Sequence, residues 1–157
     1  MRTAIDTNVL LDLLAGDDTA IAAAREAMTV ALGGGSLVIC PVVYAELAAN
    51  FPDSGLLARF LGDLEIQVDG FSTNALVQAG GAWRQYARER GTEVQCARCG
   101  HRTKALCPNC GETLTWRQHV IADFLVGGHA AVQADRLITR DPRYYRRYFP
   151  SVAVVSP

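Results

Sequence analysis

Two sets of residues in this chain are spaced as chemistry would require, and the first is a set of acids. Asp6 follows directly on the apolar run Thr3-Ala4-Ile5, and Asp141 follows Leu137-Ile138-Thr139-Arg140 near the other end. In an open parallel sheet, ligands bind in the crevice beyond the carboxyl ends of the strands. Acids delivered to that rim from distant parts of the sequence would meet as a carboxylate cluster. Clustered carboxylates repel one another and are normally kept where a hard cation neutralises them. A cation held at such a rim is well placed to act on phosphates. Glu46 sits among Val42, Val43, Leu47 and Ala48, and Asp123 lies in the apolar stretch Val120-Ile121-Ala122-Asp123-Phe124-Leu125. Each acid has a plain structural alternative: Asp6 as a helix N-cap, Asp141 as a turn residue before Pro142, Glu46 as a solvated side chain. Asp123 fits such a reading least well, because an aspartate with apolar residues on both sides is costly to bury unless it is paired or metal-bound.

The second set is Cys96, Cys99, Cys107 and Cys110, in the turns Cys96-Ala97-Arg98-Cys99-Gly100 and Cys107-Pro108-Asn109-Cys110-Gly111. Each is a Cys-x2-Cys-Gly knuckle, whose glycine permits a tight turn that aims backbone amides at the thiolates. Four thiolates close a tetrahedral structural zinc site and leave no coordination position for water. Iron suits the same ligand type. Disulfides belong to oxidising compartments. The segment is too short to build its own core, so metal would supply most of its folding energy. His101 reads as a surface residue and Cys40 as core filler.

These residues need elements to position them. Residues 2–5 read as a strand, followed by a buried helix through Val9-Leu10-Leu11 that Asp6-Thr7-Asn8 can cap. An alanine-rich helix over 20–32 ends at Gly33-Gly34-Gly35, and Leu37-Val38-Ile39-Cys40 is an unbroken apolar strand. Such a run is typical of a strand covered on both faces. Pro41 opens a helix reaching residue 50. A short helix over 54–62, a strand over 65–68 and a long helix over 72–90 follow. Residues 92–115 carry the knuckles, and a helical pattern runs from Trp116 to about Ala134. Strands at 137–138 and 152–155 end the series. Alternating strands and helices imply a parallel sheet with helices on both faces.

The chain has 157 residues, half of them hydrophobic. That fits one domain over 1–157 with an insert at 92–115. No apolar run has the length of a membrane span, the N-terminus lacks the pattern of a signal peptide, and a cytoplasmic location is expected. Net charge is −1 but unevenly spread: residues 1–83 carry three basic and ten acidic side chains, residues 84–157 twelve basic and six acidic. Eleven of those twelve are arginine, which binds phosphate bidentately and stacks on bases. A basic second half suits a polyanionic partner, and it equally suits solvated helix faces.

Four stretches together carry a family likeness: Ile5-Asp6-Thr7-Asn8-Val9-Leu10, Val43-Tyr44-Ala45-Glu46-Leu47, Ala122-Asp123-Phe124-Leu125-Val126-Gly127-Gly128-His129-Ala130 and Leu137-Ile138-Thr139-Arg140-Asp141. In this order the sequence resembles the PIN-domain ribonucleases, particularly the toxins of VapBC-type toxin–antitoxin pairs, with the cysteine insert resembling a zinc-ribbon-bearing subgroup. The resemblance implies a three-layer α/β/α fold around a short parallel sheet, and metal-dependent cleavage of RNA phosphodiester bonds. It implies that Asp6, Glu46, Asp123 and Asp141 hold one or two Mg²⁺ or Mn²⁺ ions, and that Asn8 and Thr139 orient the carboxylates. A small antitoxin protein is the implied partner, and a homodimer the implied assembly. His129 reads as packed rather than catalytic, and Arg140, Arg143, Arg146 and Arg147 as candidates for holding an RNA backbone. The competing reading, from another class, is a nucleic-acid-binding or assembly module in which the acids are structural and the knuckle does the recognition.

Overall fold

The computed structural model describes every residue except 90, 92, 96–98, 100 and 115–120. In chain order its elements are β1 (Arg2–Ile5), α1 (Thr7–Ala15), α2 (Asp18–Gly33), β2 (Ser36–Ile39), α3 (Pro41–Ala48), α4 (Ser54–Asp63), β3 (Ile66–Val68) and α5 (Thr73–Glu89). Four two-residue strands follow: β4 (Val94–Gln95), β5 (Arg102–Thr103), β6 (Ala105–Leu106) and β7 (Thr113–Leu114). The chain then forms α6 (Ile121–Gln133), β8 (Arg136–Ile138), α7 (Pro142–Tyr148) and β9 (Ala153–Val155).

The main sheet has the order β3-β2-β1-β8-β9, and every pairing in it is parallel. Three consecutive residues are buried in each of β1 and β2. Consecutive strand residues point to opposite faces, so both faces of these central strands are covered. This is the α/β architecture expected of the alternating pattern. From β1 the chain leaves toward β2 on one side, while β8 lies on the other. The strand order therefore reverses between β1 and β8, which is where an open α/β sheet builds its crevice.

Local chemistry explains most element ends. The side chain of Asp17 accepts from the Ala20 amide at 2.8 Å, and that of Asp53 from the Leu56 amide at 2.9 Å, so each caps the helix that follows. Pro41 takes the first helical position of α3, where its missing N–H costs nothing. Glu65 adopts a left-handed φ of 55°, which ends the turn after α4 and delays β3 to Ile66, one residue later than the sequence pattern implies. Helices α5 and α6 make the most intimate pair in the molecule. A Cβ at Gly128 would meet the Ala75 carbonyl oxygen at 2.5 Å and the Ala79 Cβ at 2.9 Å, so the close approach depends on glycine facing alanine.

Two further differences from the sequence reading stand out. Asp141-Pro142 reads as a turn, yet it opens the helix α7: the Asp141 side chain accepts from the Tyr144 amide at 3.2 Å and Pro142 occupies the first turn. The helical pattern assigned from Trp116 is described from Ile121, and residues 116–120 lie outside the described residues. Among the described residues no helix is long and apolar enough to cross a membrane.

The segment between α5 and α6 forms two antiparallel hairpins, β4 with β5 and β6 with β7. Each connects across one cysteine pair.

Candidate active site

Strand β1 runs through the core and delivers Asp6 to the carboxyl rim, 8% exposed. Its backbone N–H donates to the Ile138 carbonyl at 3.0 Å, which ties the end of β1 to the end of β8. Asp6 occupies the N-cap position of α1, but its side chain makes no capping hydrogen bond there, so capping does not account for the carboxylate. The carboxylate instead accepts, all on Oδ2, from Asn8 Nδ2 at 2.7 Å, Thr139 Oγ1 at 2.7 Å and the Tyr145 hydroxyl at 3.2 Å. These donors are themselves held. The Arg140 amide donates to Asn8 Oδ1 at 3.1 Å, and the Asp141 amide donates to Thr139 Oγ1 at 3.0 Å. Asn8 and Thr139, the two residues expected to orient carboxylates, thus both contact Asp6.

The other acids come from three different elements. Glu46 is exposed on α3 and accepts from the Thr7 hydroxyl. Asp123 is half-buried in the first turn of α6, and Asp141 is half-buried at the N-cap of α7. Asp141 therefore serves as a cap and also faces the site. All four carboxylates line one cleft of about 300 Å³, together with Thr7, Asn8, Leu11, Tyr144 and Tyr145. Among the described residues, no arginine, lysine or histidine lines this cleft.

This environment acts on Asp6. Burial pushes its carboxyl up to about 6, and the neighbouring charge of Asp123 adds to that, against the hydrogen bonds from Thr139 and Tyr145. Burial also holds the Tyr145 phenol far above its usual value, with the Asp6 charge acting in the same direction, so it remains a proton donor. Among the described residues, no three of the histidine, cysteine, aspartate and glutamate side chains are drawn together as a ready-made metal cage. Like charges facing one cleft without a counter-ion are expected to stand apart. The donor set itself, all oxygen and mostly carboxylate, fits a hard divalent cation.

The remaining candidates sort by location. His129 is 1% exposed, on α6, and bonds to Asp69 Oδ2 at 3.0 Å, away from the cleft. Arg140 pairs with Asp12 and Arg147 with Glu89, while Arg143 and Arg146 are exposed on α7. Cys40 is buried and His101 exposed. Around the second knuckle, the Cys107 amide donates to the Glu112 carbonyl and the Gly111 amide to the Cys107 carbonyl, both at 2.8 Å, with Gly111 at a left-handed φ of 74°. The amides of Cys110 and Asn109 draw the Cys107 thiol below its ordinary value, the environment a thiolate ligand requires. Cys99, Cys107 and Cys110 are free thiols, and Cys96 lies outside the described residues.

Sequence reasoning did not find Thr7, Tyr144 or Tyr145. The available signal was Asp141-Pro142, an N-cap followed by a proline suited to a first helical turn. Reading it as a helix start would have turned both tyrosines inward.

Comparison with known proteins bears on the fold. The PIN domain family model matches residues 3–150. The chain belongs to the PIN-domain family. This PIN domain superposes on a chain of the DNA-bound VapBC2 complex from Rickettsia felis with a TM-score of 0.63 at 12% identity, covering 99% of this chain and 98% of that one. It also superposes on a chain of the DNA-bound VapBC complex from Salmonella typhimurium with a TM-score of 0.59 at 18% identity, with the same coverage. At such identities the likeness is one of fold. No curated protein sequence matches this chain.

Proposed function

We propose that this PIN domain is a metal-dependent endoribonuclease, the toxin of a toxin–antitoxin pair. The observation that carries the reading is the cleft at the β1/β8 switch point, which four carboxylates from four elements line and which, among the described residues, no basic side chain lines. Such a site is poorly suited to holding a phosphate directly and well suited to holding Mg²⁺ or Mn²⁺ against one. Asp6, Glu46, Asp123 and Asp141 would hold the cation. When bound, it supplies Lewis acidity, acidifying water and offsetting charge on a phosphate. The chain's own part is orientation. Asn8, Thr139 and Tyr145 fix Asp6, Thr7 fixes Glu46, and Tyr144 with Tyr145 walls the cleft and limits water. Arg143 and Arg146, exposed on α7, would meet an RNA backbone leaving the rim.

The toxin reading is supported by the fold likeness to chains of VapBC complexes, and it implies a small protein partner and a dimer. Residues 1–157 act as one domain. In its insert, Cys96, Cys99, Cys107 and Cys110 would hold zinc, as the amide-lined Cys107 favours. Metal analysis of purified protein is expected to find zinc at roughly one ion per chain, the stoichiometry of a closed four-thiolate site. A metal-free preparation that keeps the insert protease-resistant rules the zinc out.

The test of the main reading is cleavage of a mixed RNA pool with Mg²⁺, with Mn²⁺ and with EDTA, beside Asp6→Asn. Cleavage that needs the cation and is lost in the variant is expected. Cleavage unchanged in the variant rejects the carboxylate site.

A further inference from the structure

We infer that Tyr145 is a positioning residue for Asp6: together with Asn8 and Thr139 it saturates Oδ2, so that Asp6 meets a cation through one oxygen only and the cleft selects small octahedral divalent cations over Ca²⁺. This inference rests on the cation reading of the cleft.

A carboxylate has about four lone-pair sites over its two oxygens. Three donors converge on a single oxygen of Asp6: Asn8 Nδ2, Thr139 Oγ1 and the Tyr145 hydroxyl. That oxygen has no capacity left for a metal bond, and the three contacts also stop rotation of the carboxylate. Any cation bond from Asp6 must come from the other oxygen.

None of the three donors is loosely held. Asn8 is oriented by the Arg140 amide and Thr139 by the Asp141 amide. Tyr145 is 1% exposed, with its ring packed edge-on to Tyr144 at 4.9 Å between centroids and near Phe149 at 6.4 Å. Phe149 is in turn seated where a Cβ on Gly127 would collide with it at 2.1 Å. The phenol oxygen therefore has one position, and it is fixed from α7, an element that contributes Asp141 to the same cleft. Mg²⁺ and Mn²⁺ accept one-oxygen carboxylates in octahedral geometry, whereas Ca²⁺ takes more ligands and often both oxygens of a carboxylate. A carboxylate locked to a single available oxygen favours the former.

The experiment is calorimetric titration of RNA-free protein with Mn²⁺ and with Ca²⁺, for wild type, Tyr145→Phe, Asn8→Ala and the double variant, with melting in EDTA measured beside it. Tyr145→Phe removes the hydroxyl and keeps the ring. It is expected to weaken Mn²⁺ binding about 10-fold, the scale on which ligand-orienting partners act, and to narrow the preference over Ca²⁺. The double variant is expected to lose less than the product of the single losses, since both side chains act through one oxygen. Asn8→Ala carries the same comparison of the two ions if the phenylalanine variant does not fold. A Tyr145→Phe protein that melts lower in EDTA but keeps the wild-type ratio of affinities overturns the inference and leaves Tyr145 as packing alone. Wild type that binds Mn²⁺ and Ca²⁺ equally overturns it too. Wild type that binds neither overturns the cation reading, and this inference with it.

Discussion

Asp6 at the end of β1 and Asp69 in the loop between β3 and α5 are wired alike and behave oppositely. Each accepts three side-chain donors on its Oδ2 oxygen. For Asp69 these are Arg2 at 2.7 Å, Gln133 at 2.9 Å and His129 at 3.0 Å. For Asp6 they are an amide and two hydroxyls. Burial works against the charge at both positions, yet Asp69 is held below its ordinary value by the His129 hydrogen bond and the Arg2 charge, while Asp6 is pushed up to about 6. The difference lies in burial, which is much deeper at Asp6 and is joined there by the Asp123 charge, and in the cationic Arg2 donor that only Asp69 has, since both oxygens accept the same number of hydrogen bonds. Neutral donors orient a carboxylate without cancelling it. Asp69 is completed by the chain itself. Asp6 is oriented but keeps its charge, with Asp123 beside it, and that residual charge is what a cation would satisfy.

The largest expected effect separates the two acids by activity. Asp6→Asn is expected to lower RNA cleavage by about 10²-fold or more, since the charge stabilisation a metal supplies is worth several kcal/mol and each 1.36 kcal/mol is tenfold. The same variant should melt no lower than wild type in EDTA, because it removes a poorly solvated charge. A fall in EDTA melting temperature as large as the fall in activity would make Asp6 structural and erase the contrast.

The next effect is the mirror image. Asp69→Ala leaves His129 buried without its acceptor, and a lost buried partner costs about 1–3 kcal/mol. For a chain of this size that is a drop of roughly 2–4 °C in melting temperature per kcal/mol. Cleavage by the folded variant at low temperature should match wild type, and reduced cleavage there would mean the network also serves the site.

The smallest effect is in pH. Burial lowers the affinity of His129 for a proton below its usual 6.5, against the pull of Asp69, and Asp69 is itself lowered. Both groups bind protons less readily folded than unfolded, so both remove stability as pH falls. Arg2 faces the same network from β1 and keeps its charge throughout. Asp6, raised to about 6, gains stability as pH falls over the same range, so the test is made in the Asp6→Asn background. There the melting temperature in EDTA should decline first as pH drops through about 6.5 and further through the carboxylate range, and a melting temperature flat from pH 7 to pH 5 would mean that His129 does not sense its burial.

Much of the fold was legible because its signals are local. Unbroken apolar runs at Leu37-Val38-Ile39, caps such as Asp17, and Pro41 at a helix start each depend on neighbours a few residues away. The four acids stood out for a related reason: Asp6 and Asp141 come just after β1 and β8, Asp123 is in the first turn of α6, Glu46 is in the second turn of the helix after β2, and parallel strands carry such positions to one rim. Tyr145 was not legible. Its role depends on a contact with Asp6 across nearly the whole chain, and nothing in Tyr144-Tyr145 distinguishes a wall of the cleft from ordinary core. Glu46 shows the same limit from the other side. It is an exposed residue by burial, and only the Thr7 hydroxyl and the shared cleft set it apart from a solvated glutamate. The cysteine turns were visible as motifs, and the short strands that flank them pair in a way that motif spacing does not encode.

The glycine contact between α6 and α5 also sets the depth of an acid. Gly128 is pressed against Ala75 and Ala79, and Asp123 stands five residues earlier on the same rod. At 1.5 Å of rise per residue, that places the carboxylate about 7.5 Å along the helix from the point of contact. Any side chain at position 128 that pushed the helices apart would tilt α6 and carry Asp123 with it. The small residues on the far side of the helix thus work as a depth stop, calibrating an acidic edge they never touch.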